Sequence, residues 1–171
     1  SDIWILFAPV KKLRVDFIAQ KITELGARLI WPVITDRTQY QSIKTSKILS
    51  NAIEAAEQCG LTFIPKVNEL EKLNSILNHW DEIAPGRTLI FCDEKSVNNP
   101  KKVLEQLKLD KKIDKWALLI GPEGGFSDLE RDRIYKITNL KSISLGPRIL
   151  RSDTAIVSAL TLFHSVIGDW V

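Results

Sequence analysis

Two loops of the sequence combine residue types that could bind a small molecule. The first is Gly121-Pro122-Glu123-Gly124-Gly125-Phe126-Ser127, which follows an apolar segment and precedes a helical pattern. Glycines let the backbone approach a ligand closely, and the helix behind them offers free N–H groups. The loop lacks the Lys and Ser/Thr that end a Walker A phosphate loop, and the Glu123 carboxylate would repel a phosphate. It suits a ligand with positive charge or hydrogen-bond donors, although a tight turn that binds nothing would have the same composition.

The second loop places apolar residues between arginines. Its sequence is Ser144-Leu145-Gly146-Pro147-Arg148-Ile149-Leu150-Arg151-Ser152-Asp153-Thr154-Ala155. A Gly-Pro pair ends a strand pattern, and Ile149 and Leu150 follow in a segment that should be exposed. These side chains could form a wall for a ring, with Arg148 and Arg151 beside it for an anionic partner. The alternative is that the apolar pair fills the core and the arginines are solvated.

Apolar periodicity predicts strands that alternate with helices along the whole chain. The predicted strands cover residues 2–9, 28–34, 62–67, 88–92, 116–120 and 141–145. The predicted helices cover residues 15–25, 44–58, 70–77, 100–107, 127–138 and 153–170. This alternation predicts an α/β fold, with a mostly parallel sheet flanked by helices, in one domain that spans residues 1–171. Because ligands gather at the carboxyl ends of parallel strands, we expect binding loops after Cys92, Ile120 and Leu145.

Three local signals refine this arrangement. Ser127 and Glu130 have the spacing of a capping box, which predicts the start of a helix. Pro32 lacks an N–H group, which predicts that its strand lies at a sheet edge or ends there. The final helix is apolar on most sides, so we expect it to be buried in the core or in a subunit contact.

The composition excludes several classes of protein. Hydrophobic residues make up 44% of the chain, and no apolar run approaches the roughly 20 residues that span a membrane. The cysteines (Cys59 and Cys92) and the histidines (His79 and His164) lack the spacing of a disulfide framework or a metal site. We therefore expect a cytoplasmic protein without a metal ion. The net charge of +3 allows a nucleic-acid partner.

Taken together, the two loops resemble the RsmE-type family, the 16S ribosomal RNA uridine-N3 methyltransferases of the SPOUT superfamily. The resemblance continues upstream in Thr23-Glu24-Leu25-Gly26, Thr35-Asp36-Arg37-Thr38 and Glu54-Ala55-Ala56-Glu57-Gln58, in the family's order. It covers essentially the whole chain. The family more often has Ser, Arg and Glu at three positions that here are Cys59, Leu61 and Asp153.

The resemblance implies an enzyme that uses S-adenosylmethionine to methylate N3 of a uridine in 16S ribosomal RNA, either free or in the small ribosomal subunit. It also implies a parallel sheet whose C-terminal part is tied in a trefoil knot, and a homodimer with its active site at the subunit boundary. The family's small N-terminal RNA-binding domain is not recognised in this chain. We therefore expect these residues to bind the cofactor but to bind RNA weakly, because the arginines of the two loops are too few to grip an extended RNA.

Both loops contribute candidate site residues. Those expected to bind the cofactor are Phe91, Cys92, Ile120, Gly121, Glu123, Gly124, Gly125, Leu145, Gly146, Ile149, Leu150 and Thr154. Uracil N3 carries a proton at neutral pH, so its methylation needs a base or a cation that stabilises the uracil anion. Arg151 and Arg37 are the candidates for that cation, and Arg148 and Arg37 are the candidates for RNA contacts. Glu123 is expected to act as a base or, as we favour, to fix its loop by hydrogen bonds.

Three alternative functions remain open at this point. One is a SPOUT enzyme that methylates the ribose 2′-oxygen, although the Asn and Arg of that branch's early motif are not found here. Another is an RNA-binding module without catalysis, which would not bind S-adenosylmethionine. The third is a nucleotide-binding α/β domain, which Glu123 and the missing lysine disfavour.

Overall fold

A computed structural model describes residues 1–110 and 112–170 of the chain. The strands are β1 (Asp2–Phe7), β2 (Leu29–Ile34), β3 (Lys66–Val67), β4 (Glu71–Lys72), β5 (Thr88–Cys92), β6 (Lys115–Ile120) and β7 (Leu140–Ile143). The helices are α1 (Lys12–Glu24), α2 (Thr45–Cys59), α3 (Leu73–Asn78), α4 (Trp80–Ile83), α5 (Pro100–Leu109), α6 (Asp128–Ile134) and α7 (Ser152–Val166). Residues 111 and 171 of the predicted domain lie outside the described residues. None of the helices described is both long and apolar enough to cross a membrane.

The strands form one sheet in the order β3-β2-β1-β6-β5-β7, and β4 also pairs with β2. Every strand pair in the described residues is parallel, which confirms the parallel α/β architecture predicted from the sequence. At the centre, β1 pairs with β6 so that Asp2 lies opposite Lys115 and Phe7 lies opposite Ile120. All strands therefore end on the same side, and we call this side the carboxyl end of the sheet and the opposite side the amino end.

The sheet is buried on both faces because its central strands are nearly continuous apolar runs. Alternate residues point to opposite faces: Ile5 and Leu118 belong to one apolar cluster, and Leu6 and Leu119 belong to the other. Helices α1, α2, α5 and α7 contribute to the first cluster, and α3, α4 and α6 contribute to the second. The result is a three-layer arrangement with helices on both sides of the sheet.

The prediction that Pro32 lies in an edge strand or at a strand end is wrong. β2 is not an edge strand, because β1 pairs with it on one side and β3 and β4 pair with it on the other. The partners on the second side leave a gap at this residue, since β3 pairs with Leu29 and Ile30, and β4 pairs with Val33 and Ile34. The missing N–H of proline therefore falls between two short partner strands instead of interrupting a continuous ladder.

Three elements differ from their predicted bounds by four residues at one end. The strand at residues 62–67 is reduced to β3, and the helices expected to reach residues 138 and 170 end at Ile134 and Val166. After α7 the chain folds back, because the N–H groups of Ile167 and Gly168 both donate to the carbonyl of Phe163. Gly168 then lies so close to His164 that a β-carbon at this position would overlap the imidazole ring.

Helix α7 is buried in the core of its own chain. Its apolar residues Ala155, Ile156, Ala159, Leu160 and Phe163 are all buried, and the helix packs against α1, α5 and β6. Burial in the core, one of the two outcomes predicted for this helix, is therefore the one observed. The apolar surface of α7 gives no support for a dimer, and the expected homodimer rests on the resemblance alone.

One buried polar group of α7 has a defined protonation state. Nε2 of His164 lies 2.7 Å from the carbonyl oxygen of Leu25 and donates a hydrogen bond to it. Nδ1 accepts a hydrogen bond of 3.1 Å from the backbone N–H of Asp169, which requires a neutral ring. Burial lowers the pKa of His164 below its ordinary value, in agreement with these contacts.

We expect His164 to make the folded protein less stable in mild acid. Because its pKa is lower in the folded than in the unfolded chain, the unfolded chain binds more protons as the pH falls from about 7.5 to about 5.5. The free energy of unfolding should decrease over this range. It should decrease less in His164→Gln, which keeps an N–H donor for the Leu25 carbonyl. Urea denaturation of both proteins at the two pH values measures this, and equal decreases would contradict the assignment.

Candidate functional site

The two loops singled out in the sequence meet at the carboxyl end of the sheet. Residues 121–127, which we call the glycine loop, follow β6, and residues 144–151, which we call the arginine loop, follow β7. β5 lies between these two strands, so the segment after Cys92 is placed between the loops. The topology of the sheet therefore gathers three segments that are distant in sequence.

A cleft that encloses about 560 Å³, part of it open to solvent, lies between the two loops. Eight of the twelve residues predicted to bind a cofactor line this cleft: Cys92, Ile120, Gly121, Gly125, Leu145, Gly146, Ile149 and Leu150. The structure thus brings most of the predicted residues to one space.

The glycine loop is shaped by an aromatic side chain. The ring of Phe126 packs edge to face on Phe91, with centroids 5.1 Å apart, and also lies against Gly121. A β-carbon at Gly121 would lie 2.5 Å from Cε2 of Phe126, so a larger residue does not fit here without movement. Gly125 has a φ of +67° and donates its N–H to the carbonyl of Pro122. The loop is therefore a tight turn that presents backbone to the cleft.

The arginine loop is attached to the glycine loop at the start of α7. Oγ of Ser152 donates a hydrogen bond of 2.9 Å to the carbonyl of Gly121. Ile149 is 81% exposed, whereas Leu150 packs on the core. Gly146 has a φ of +108°, and its missing β-carbon would point into open space. The two loops therefore form opposite walls of the cleft that are joined at one end.

Four of the predicted cofactor residues do not line the cleft: Phe91, Glu123, Gly124 and Thr154. Phe91 is fully buried one layer below the site, where it supports Phe126. Thr154 lies in the first turn of α7 and is exposed.

Glu123 and Gly124 lie on the opposite side of the glycine loop from the cleft. Glu123 lies 3.6 Å from Nη1 of Arg14 in α1, and Nη1 of Arg37 donates a hydrogen bond of 2.8 Å to the carbonyl of Gly124. A tight turn directs its two ends and its middle to different sides, which explains why Gly121 and Gly125 border the cleft while these residues do not. Glu123, for which the sequence left two roles open, lies within ion-pair distance of α1.

The three candidate arginines occupy different places around the site. Arg148 lines the cleft. Arg151 is the exposed residue that immediately precedes α7. Arg37 lies behind the glycine loop, where it holds a backbone carbonyl. Of these three, only Arg148 borders the cleft directly.

Sequence reasoning missed a charged network on the third side of the cleft. Asp93 and Glu94 follow β5, Arg131 lies in α6, and all three line the cleft. The buried Asp93 pairs with Nη1 of Arg131 and accepts hydrogen bonds of 3.0 Å from Oη of Tyr135 and 2.9 Å from the N–H of Lys95. Oε1 of Glu94 lies 3.4 Å from Nη2 of Arg131 and keeps the capacity to accept further hydrogen bonds. The available signal was a pair of acidic residues directly after a buried strand.

A second carboxylate, that of Glu130, joins the glycine loop to the segment after β2. Its oxygens accept hydrogen bonds of 2.7 Å from the N–H of Asp36 and 3.0 Å from the N–H of Ser127. Oγ of Ser127 accepts a hydrogen bond from the N–H of Glu130, so the predicted capping box is confirmed. The same hydroxyl donates to the carboxylate of Asp36. These contacts fix the position of Arg37 relative to the glycine loop.

The thiol of Cys92 is unreactive. Burial raises its pKa to about 12, so the thiol stays protonated and forms a neutral part of the cleft wall. Within residues 1–110 and 112–170, no group of three or more His, Cys, Asp or Glu side chains could hold a metal ion.

Comparison with known proteins gives a consistent match. A model of a family described as an RNA methyltransferase domain matches residues 1–164. The ribosomal RNA small subunit methyltransferase E of Buchnera aphidicola is 32% identical over 166 residues, which cover 94% of this chain and 62% of that protein. The protein of the same name from Mesomycoplasma hyopneumoniae is 30% identical over 94% of this chain and 68% of its own length. This chain thus spans less than two thirds of the first of these curated relatives.

Two solved structures share the fold. A putative methyltransferase from Legionella pneumophila, in complex with the bound cofactor SAM, has a TM-score of 0.83 and 32% identity, over 98% of this chain and 67% of that one. A ribosomal RNA small subunit methyltransferase E from Neisseria gonorrhoeae, bound to S-adenosyl methionine, has a TM-score of 0.85 over 99% of this chain and 68% of that one. At 24% identity, the second comparison is one of fold.

We expect two glycines of the glycine loop to respond differently to the same substitution. In Gly121→Ala the added methyl group would overlap the Phe126 ring, and overpacking of this kind typically destabilises a protein by about 1–3 kcal/mol. In Gly124→Ala the β-carbon would lie 3.5 Å from Cβ of Arg37, which is an ordinary contact, so the free energy of unfolding should change little. Urea denaturation of both variants measures the contrast. Equal stability would show that Phe126 moves aside freely.

Proposed function

This chain belongs to the RNA methyltransferase domain family, and on that premise we propose that it transfers a methyl group from S-adenosylmethionine to N3 of a uridine in 16S ribosomal RNA. The observation that carries the proposal is the cleft shared by the glycine loop and the arginine loop. The cleft lies at the carboxyl ends of the strands, where parallel α/β sheets bind their ligands. Both of its walls are formed by the motifs that resemble the RsmE-type family.

The relatives support the same class of reaction. Two of them, at 30% identity or more, are named for methylation of small-subunit ribosomal RNA. The Legionella pneumophila structure holds the cofactor within the same fold. Because this chain spans only 62% of the first relative, the activity of the complete relatives applies to it as part of the proposal.

The cleft has contacts that suit parts of S-adenosylmethionine. Leu145, Ile149 and Leu150 offer apolar contact for the adenine ring, and the glycine loop adds backbone groups. The carboxylate of Glu94 can accept hydrogen bonds from the ribose hydroxyls or the ammonium group. Apolar contacts for the ring and an acceptor for the ligand's hydrogen-bond donors are therefore available in the cleft.

When bound, S-adenosylmethionine supplies an electrophilic methyl group, and the protein must place uracil N3 in line with it and favour the deprotonated form of N3. We assign the stabilisation of the uracil anion to Arg151, which is exposed at the start of α7 beside the arginine loop. Arg148 would contact an RNA phosphate at the mouth of the cleft. Arg37 and Glu123 would act by holding the glycine loop in place. Cys92 is excluded as a base because its pKa is raised to about 12.

We also propose that the knot and the homodimer of the SPOUT superfamily are present. β7 lies at the end of the sheet, yet α7 returns to pack on α1, on the face opposite α6. This is the kind of return path that a C-terminal knot requires. The homodimer is proposed on the resemblance to the family alone. The reaction would take place in the cytoplasm, where the ribosomal substrate is.

The proposed reaction can be tested directly. The protein is incubated with S-adenosylmethionine and either 16S ribosomal RNA or small ribosomal subunits, and the RNA is analysed by nucleoside mass spectrometry. We expect 3-methyluridine. Detection of 2′-O-methyluridine would assign the chain to the ribose-methylating branch. A protein that binds the RNA but not S-adenosylmethionine would be a binding module, and the proposed reaction would be wrong.

We expect Glu94→Gln to weaken the binding of S-adenosylhomocysteine, the demethylated product. A hydrogen bond to a charged acceptor contributes about 1.5–3 kcal/mol, so the affinity should fall by about tenfold or more. Asp128→Asn is the matched control, because Asp128 is an exposed acid at the same end of the sheet, outside the cleft and 3.3 Å from Lys95. Isothermal titration calorimetry measures both affinities. Equal affinities in the two variants would show that Glu94 does not contact the ligand.

A further inference from the structure

Several helices on one face of the sheet begin with cations where acids would be favourable. Helices α1, α2 and α5 have no acidic residue in their first turn. Exposed lysines stand there instead, at Lys11, Lys44, Lys47 and Lys102. A helix N-terminus carries partial positive charge, so a lysine at this position lowers helix stability. This pattern indicates that the lysines serve a purpose other than stability.

The fold brings these helix starts together at the carboxyl end of the sheet. Each of the three helices follows the end of a strand, and their packing places them beside α7 in the order α2, α1, α7, α5. A hydrogen bond of 2.9 Å from Asn51 to Asp16 joins the N-terminal halves of α2 and α1. Arg151 immediately precedes α7 and stands between the starts of α1 and α5. We call the exposed residues Lys11, Lys44, Lys47 and Lys102 the cationic row.

The charges of the cationic row are not neutralised by neighbouring acids. Among the described residues, no member of the row forms an ion pair within 4.0 Å. Of the acids near these helix starts, Glu123 pairs with Arg14, while Glu69 and Asp153 do not come within 4.0 Å of a cation of the row. The row therefore keeps its positive charge available to an external anion.

We propose that the cationic row binds the phosphate backbone of an RNA strand and leads it across the mouth of the cleft. This inference rests on the proposed function, because that function supplies an RNA substrate. The row passes the start of α7, where Ser152 and Ala155 line the cleft. Exposed Gln39, Gln41 and Ser42 lie between Arg37 and Lys44 and can donate hydrogen bonds to phosphate or ribose oxygens. A polyanion with regularly spaced charges matches an extended row better than a compact acidic ligand does.

The proposal changes the expectation that this chain binds RNA weakly. That expectation counted the arginines of the two loops and found them too few. The lysines of the row come from three separate parts of the sequence, and only the parallel sheet places them side by side.

The test compares two pairs of lysine substitutions that remove the same charge from opposite ends of the sheet. Lys44→Gln/Lys47→Gln removes part of the row. Lys108→Gln/Lys112→Gln is the control, because these exposed lysines lie in the last turn of α5 and before β6, at the amino end. Fluorescence anisotropy with a labelled fragment of small-subunit ribosomal RNA, measured over a series of salt concentrations, gives the affinity and its salt dependence. Calorimetry with S-adenosylhomocysteine gives the cofactor affinity of each protein.

We expect the Lys44→Gln/Lys47→Gln protein to bind RNA about tenfold more weakly at low salt. The slope of log affinity against log salt concentration should fall in magnitude by about 1.5, because binding with two fewer phosphate contacts releases fewer counterions. Its cofactor affinity should be unchanged. Its melting temperature should be equal to or higher than that of the wild-type protein, because the substitutions remove positive charges that are unfavourable at a helix N-terminus. The control pair should bind RNA like the wild-type protein.

Several results would overturn the proposal. RNA affinity that falls equally in both pairs would mean that net charge alone matters, and RNA affinity unchanged in Lys44→Gln/Lys47→Gln would mean that the row makes no contact. If polyglutamate bound the row as tightly as RNA does, the partner would be an acidic protein, and the proposal of an RNA partner would be wrong. A selective loss of RNA binding in a protein that does not bind S-adenosylhomocysteine would support the row while contradicting the proposed reaction.

Discussion

The site depends on one buried carboxylate at the start of α6. Glu130 is 1% exposed, and it accepts hydrogen bonds from the backbone of both Asp36 and Ser127. The next residue, Arg131, pairs with Asp93 at the end of β5. Two consecutive side chains thereby connect the ends of β2, β5 and β6. Removing an acceptor of this kind would leave buried donors without partners, which is more unfavourable than the loss of an exposed ion pair.

Local sequence signals predicted local structure well. The capping box at Ser127 and Glu130 and the strand at Thr88–Cys92 need only neighbouring residues, and the structure has both. The prediction for Pro32 was wrong because its environment depends on where β3 ends and β4 begins. The residues next to Pro32 in the sequence carry no information about those two strands. For the site, both cleft walls were located from their glycines and apolar residues, whereas the partner of Asp93 comes from a helix 38 residues away. Pairings that are set by sheet order leave no local pattern in the sequence.

Two kinds of surface meet at the carboxyl end of the sheet. The cleft is built largely from backbone and apolar side chains, held by contacts such as the Ser152 to Gly121 hydrogen bond, and suits a small ligand that needs an ordered site. The cationic row is made of exposed lysines with long flexible side chains, which suits a polyanion whose position can vary. A methyltransferase that acts on RNA needs both properties within a short distance. In this fold the N-terminus of α7 lies at the boundary between them.

The pairing of β1 with β6 has a consequence for how the chain reaches its folded state. Residues 2–7 form the middle of the sheet, but one of their two partner strands is residues 115–120. During synthesis the apolar β1 therefore remains unpaired along one side until most of the chain has left the ribosome. Contacts between such distant segments slow folding and leave strand edges open to other chains. Synthesis from the N-terminus thus leaves this strand edge open to aggregation until β6 has been made.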